Sequence, residues 1–234
     1  MTVILVFLLV IFSIVGWWLA QQRLLSKPWL EGGPVPVAAG TDRIGMSGPK
    51  TGLAVFLTVV GALFALFISA YFMRMEQSDW RSVPLPRILW LNTSLLVLSS
   101  VSLHCALIAA RDNDSGAVRF GLLTAGLTAL GFLTGQLIAW QELTSGGYGV
   151  SSNPANGFFY LITGAHGLHI VGGLVALGRT TGAAWRDMPM DQLRLRIDLC
   201  ALYWHFLLLV WLAVLVVLLG WASDFVAMCS QFLT

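Results

Sequence analysis

The chain has 234 residues, 57% of them hydrophobic and only 10% charged, with a net charge of +2; its mean hydropathy is +0.81. A globular protein carries about 25% charged residues, so this composition cannot cover a soluble surface and places the chain in a membrane. It excludes a cytosolic enzyme, a disordered tail and a nucleic-acid binder.

Six apolar stretches are long enough to cross a hydrocarbon core, which takes roughly 20 helical residues. In chain order they are Val3–Ala20, Thr51–Met73, Ile88–Ala110, Phe120–Trp140, Gly157–Gly178 and Ala201–Ala222. All are expected to be helical, because lipid offers the backbone no other partner. The fold class expected is therefore all-α, a polytopic bundle of six transmembrane helices. The first span has no basic residue before it, whereas Arg23 and Lys27 follow it, so residues 1–25 read as a membrane helix and not as a cleaved leader. Residues 26–50 hold Pro28, Pro34, Pro36, Pro49 and five glycines, the composition of an irregular linker. Residues 51–222 form a five-helix core and 223–234 a short tail.

Lys and Arg number four in 21–50, three in 74–87, two in 111–119, none in 141–156 and four in 179–200. Alternate sides thus hold ten and three, and the positive-inside rule puts the ten in the cytoplasm and both chain ends outside. Small residues four apart suggest close helix packing along Gly61, Ala65 and Ser69, along Ser102, Ala106 and Ala110, and along Gly131, Gly135 and Ala139. The bulkier first span has only Ser13 and Gly16 to offer.

Ionisable groups within spans are costly and therefore functional suspects. His166 and His169 are three apart and share one side of the fifth span. The bland reading, hydrogen bonds to neighbouring helices, outweighs a metal site, which needs about four ligands. His104, His169 and His205 fall at similar depth, so a freestanding metal-binding bundle or small transporter built on them is the competing class. Glu142 is placed at the outer interface beyond Gln136, with no second acid inside any span to relay protons. Three cysteines, Cys105, Cys200 and Cys229, lack C-x-x-C spacing and suggest neither disulfides nor zinc. Trp17, Trp18, Trp80, Trp90, Trp140, Trp185 and Trp221 stand where an interfacial belt is expected, while Trp204 and Trp211 are placed to face a neighbouring helix.

The C-terminal half carries Gly157-Phe158-Phe159-Tyr160, Thr163-Gly164-Ala165-His166-Gly167-Leu168-His169, and Tyr203-Trp204-His205-Phe206 with Trp211. With Leu91-Asn92-Thr93-Ser94 and the set Gln136, Trp140 and Glu142, this resembles subunit III of cytochrome c oxidase and of the related quinol oxidases, over roughly Lys50 to Trp221. The resemblance implies an accessory chain without haem or copper, lying beside the catalytic subunit I and subunit II of a haem–copper oxidase in a bacterial inner membrane. It also implies bound phospholipid and support of proton uptake and enzyme lifetime. Cytochrome c is the favoured electron donor over quinol, and a nitric-oxide-reductase accessory protein is a further possibility. On this reading Asn92, Gln136, Glu142, His166, His169, Trp204 and His205 make inter-helix or lipid contacts, and Arg179 and Arg23 lie near inner head groups. The sequence departs from the family where Thr58, Val59 and Val60 stand near a helix-buried acid of many relatives, and at Leu208 and Ala139, where relatives often have acids. The family implies a five-span core, to which the first span looks like an addition.

Overall fold

The computed structural model describes residues 48–186 and 188–220. These form five helices, α1 (Gly48–Met75), α2 (Ile88–Arg111), α3 (Ser115–Ser145), α4 (Pro154–Trp185) and α5 (Met190–Leu218). Their 24 to 32 residues correspond to about 36 to 48 Å, so each is long and apolar enough to cross a membrane. The protein is a multi-pass, all-helical membrane protein over the described residues. The expected first span, the linker up to Ser47 and the tail after Gly220 lie outside them, as does Arg23.

Each expected core span coincides with a helix, but the helices run past the apolar stretches. α5 starts at Met190, well before Ala201, and carries Arg194, Arg196 and Asp198 in its first turns. Local chemistry sets several ends. Asp114 caps α3 by accepting from the Ala117 amide at 3.0 Å, and Asn153 caps α4 through the Ala155 amide, with Pro154 at its first position. Asn113 takes a left-handed φ of 58° in the turn from α2 to α3, a conformation that asparagine tolerates.

The described residues fall into two units, one ending at Val59 and one beginning at Val60. In the first, the start of α1, Thr58 Oγ1 donates to the Ala54 carbonyl at 2.9 Å. In the second, α2 packs on α3 and α5, and α4 packs on α3 and α5. The α2–α3 pair is the tightest, because Ser102, Ala106 and Ala110 are buried against it. A Cβ added to Gly121 would fall 2.9 Å from Ala106 Cβ and 3.0 Å from the Ser102 carbonyl oxygen. The α3 stripe also turns inward at Gly135 and Ala139.

The small stripe in α1 does not become a close seam. That helix buries Val60, Phe64, Ile68 and Tyr71 against Ile162 of α4 and Val210, Val214 and Val217 of α5. Bulky side chains bridge the gap there, and Gly61 sits at ordinary contact distance, 3.6 Å, from the Phe206 ring.

Candidate functional site

The buried polar groups of the bundle form a seam linking α2, α3, α4 and α5. It starts at Asn92, in the second turn of α2 and fully buried, whose Nδ2 donates to Gln136 Oε1 of α3 at 3.4 Å. Only glycine permits this approach, since a Cβ at Gly135 would lie 2.0 Å from Asn92 Oδ1. Asn92 Oδ1 and Gln136 Nε2 are left without partners among the described residues.

The adjacent Thr93 donates to the Leu89 carbonyl at 2.8 Å and accepts from Trp211 Nε1 of α5 at 3.0 Å. The Trp211 ring stands edge-on to Phe132, centroids 5.0 Å apart, and is tilted against His166 at 5.1 Å. His166 is fully buried, and its Nε2 donates to the Leu207 carbonyl of α5 at 3.1 Å. That bond makes Nδ1 the acceptor nitrogen, which has no partner among the described residues. One turn along, Trp140 Nε1 donates to Thr163 Oγ1 at 3.1 Å, tying α3 to α4. Ser99 Oγ donates to the Ala125 carbonyl at 2.8 Å, tying α2 to α3.

Trp204 is wholly buried with its Nε1 unpaired among the described residues. It reaches α4 because Gly173 gives way: a Cβ there would sit 2.7 Å from both Trp204 Cζ3 and Tyr203 Cε1. Tyr203 then donates its hydroxyl to the His169 carbonyl at 2.9 Å.

The histidines divide into three environments. His166 faces the seam. His169 turns back on its own helix, Nδ1 donating to the Ala165 carbonyl at 2.7 Å, with the Phe64 ring 5.5 Å away. His104 and His205 lie side by side on α2 and α5, ring centroids 5.8 Å apart, and His205 Nδ1 meets Ser100 Oγ at 2.6 Å. The three-histidine arrangement of the competing reading does not assemble, and among the described residues no three His, Cys, Asp or Glu side chains come together as metal ligands. Glu142 is exposed near the end of α3, outside the seam.

Sequence reasoning missed Ser99 and Ser100, whose signal was a polar pair in an apolar helix. For Trp140, expected in an interfacial belt, the structure adds an indole N–H bond to Thr163 that joins two helices. The buried polar set of the described residues contains amides, hydroxyls and one imidazole, with no carboxylate. Such groups donate and accept hydrogen bonds and lock helices in register; they supply no acid for relaying protons through the seam.

The two ends of the bundle differ. At one, Arg194 Nε donates to the Ala110 carbonyl at 2.6 Å and its Nη2 to the Arg111 carbonyl and Asn113 Oδ1. Arg119 Nε donates to the Ala184 carbonyl at 3.1 Å, with its guanidinium over the Trp185 ring. A cleft of about 760 Å³ opens at this end between α4 and α5, lined by Arg179, Arg186, Gln192 and Arg196. At the other end Arg74 grips Asp79 through two bonds of 2.7 and 2.5 Å. That guanidinium holds the Asp79 carboxyl below the usual carboxylate range.

Comparison with known proteins follows the same core. The family model for cytochrome c oxidase subunit III matches residues 40–223. A cytochrome c oxidase subunit 3 of Synechocystis sp. is 29% identical over 176 residues, 70% of this chain and 72% of the relative. A probable cytochrome c oxidase subunit 3 of Mycobacterium bovis is 31% identical over 178 residues, 72% of this chain and 86% of the relative. A cytochrome bo(3) ubiquinol oxidase subunit 3 of Pseudomonas putida is 27% identical over 135 residues, 54% of this chain and 61% of the relative.

Proposed function

The chain belongs to the cytochrome c oxidase subunit III family, and from that premise we propose that it is the non-redox accessory subunit of a haem–copper terminal oxidase. It carries no haem or copper itself and lies beside the catalytic subunit I and subunit II. Its work is to support assembly, to retain phospholipid and to sustain proton uptake by the catalytic subunit. Cytochrome c is the electron donor of the complex; the relatives named cytochrome c oxidase subunits support this choice over quinol. The ubiquinol oxidase relative favours quinol as the second reading.

One observation carries the accessory role: in four places a buried polar side chain of one described helix bonds a side chain or carbonyl of another. Asn92 with Gln136, Thr93 with Trp211, Trp140 with Thr163 and His166 with the Leu207 carbonyl all join helices. Such a seam builds a rigid scaffold against which a catalytic subunit can be held.

Lipid retention is supported by the cleft between α4 and α5. Arg179, Arg186 and Arg196 converge there at the end that the charge count assigns to the cytoplasm, where basic side chains meet phosphate head groups. We further propose a bacterial inner membrane as its location; the charge count supports an orientation with Arg74, Arg81 and Arg87 outside and both termini outward.

The test is affinity purification of the tagged chain in mild detergent from cells that make the partners, followed by an optical spectrum and mass spectrometry. A haem spectrum with a large catalytic subunit at one copy per tagged chain is expected, and the haem type and donor follow from the same sample. A haem-free chain purifying alone would overturn the proposal.

A further inference from the structure

Two imidazoles lie where lipid would otherwise be. His104 stands seven residues in from Arg111 at the end of α2, about 10 Å along the axis, and His205 eleven residues from Arg194 on α5, about 16 Å. Both depths fall inside a hydrocarbon core of about 30 Å. Their rings are 5.8 Å apart and tilted by only 33°. Both side chains are exposed on the outside of the bundle, unlike His166 and His169.

The bond between Ser100 Oγ and His205 Nδ1 anchors one ring to a buried hydroxyl. His104 makes no hydrogen bond among the described residues, and neither does the second nitrogen of His205. Around the pair, Val101 and Ile108 of α2 and Leu202 and Leu209 of α5 are exposed along the same two helix faces. Acyl chains can cover those four residues but offer nothing to ring nitrogens, and an unpaired polar group in hydrocarbon is costly. The exposed face of α3 poses no such problem: Thr124 and Thr134 bond their own helix carbonyls between Leu123, Leu127, Leu130 and Leu137.

We propose that the α2–α5 face is the docking surface for a transmembrane helix of a partner subunit that presents a carboxyl group level with His104 and His205. A carboxyl group offers two acceptor oxygens, which can engage the N–H groups of both rings at once. The apolar residues on either side supply the packing of a helix–helix contact. This rests on the chain working within a multi-subunit oxidase.

The test places a photo-crosslinking amino acid at Val101 or Leu209, and, as controls, at Leu127 or Leu137 on α3, in the tagged full chain expressed with its partners. After irradiation in membranes, products are mapped by mass spectrometry. Probes at Val101 and Leu209 are expected to label a transmembrane peptide of an oxidase subunit that contains Asp or Glu, and the α3 probes are not. The His104→Leu/His205→Leu variant is expected to retain at least fivefold less of that subunit after a detergent wash. Labelling of lipid alone, of a second copy of this chain or of a peptide without an acid would overturn the inference, as would partner labelling from α3 only. Should the haem-bearing subunit co-purify while Val101 and Leu209 label only lipid, this inference falls and the accessory function stands. If no oxidase subunit co-purifies, both fall.

Discussion

Replacing Gly121 by alanine tests the close α2–α3 seam at its narrowest point. The new methyl would lie 2.9 Å from Ala106 Cβ, 3.0 Å from the Ser102 carbonyl oxygen and 3.3 Å from Ala106 Cα. Carbon contacts prefer about 3.5–4.0 Å, so the helices must part by about 0.6–1.1 Å. None of the three neighbouring atoms is the end of a flexible side chain that could swing aside. A gap of that size forfeits about a quarter to a half of the attraction at each contact along the seam, and overpacking costs about 1–3 kcal/mol. Alanine returns about 1 kcal/mol in helix propensity, leaving a net loss of about 0–2 kcal/mol. Gly172→Ala in α4 is the control, since nothing lies within 4 Å of its added Cβ, and it should be neutral or slightly stabilising. The assay is a denaturation midpoint of the purified protein in detergent, followed by tryptophan fluorescence. Ala106→Gly in the Gly121→Ala background should recover part of the loss by removing the 2.9 Å contact. If Gly121→Ala is as stable as Gly172→Ala, the reasoning about the seam is wrong.

Gln136→Leu should destabilise by about 1–3 kcal/mol, because it leaves the buried Asn92 amide without its partner, whereas the double variant with Asn92→Leu should be more stable than Gln136→Leu alone; equal losses in the same unfolding assay would refute the pairing. Asp79→Asn should remove an acid-sensitive step in hydrogen exchange at residues 76–80. Because Arg74 lowers the Asp79 pKa, the wild-type contact is present above the ordinary value near 3.8 and is lost as pH falls through the lower folded value. An unchanged pH profile in the variant would contradict this. Arg179→Ala with Arg196→Ala should lower the phosphorus content of the purified complex by about one lipid per chain while haem content holds, as read by phosphate and haem assays; undiminished phosphorus would remove the cleft as a lipid site.

The positions of five helices were legible because each is a long apolar run, and a backbone in lipid finds partners only within its own helix. Their true lengths were not, because polar turns like those around Arg194 and Arg196 continue a helix beyond the hydrocarbon without an apolar signal. Small-residue spacing found the seam at Ser102, Ala106 and Ala110. The same spacing misled at Gly61, Ala65 and Ser69, where Phe64 and Tyr71 decide which face is buried. Within the polar seam, His166 stood out as a costly residue in an apolar run, while Asn92 and Gln136 were singled out through the family resemblance. Ser99 and Ser100 did not, since a hydroxyl in a membrane helix can always bond its own backbone, and only the neighbouring helix shows that Ser99 reaches Ala125. Equal depth suggested joining His169 to His104 and His205; helix rotation, which spacing alone cannot fix between different helices, separates it.

The central claim is that this chain sustains an oxidase without taking part in its electron transfer. The most direct measurement compares oxygen consumption over time by complexes with and without the chain, both assembled and matched for haem. The account predicts an initial rate within about twofold in the two preparations, a difference of about 0.4 kcal/mol in barrier, and a markedly shorter active lifetime without the chain. An assembled, haem-replete complex that lacks the chain and shows no initial turnover would contradict it.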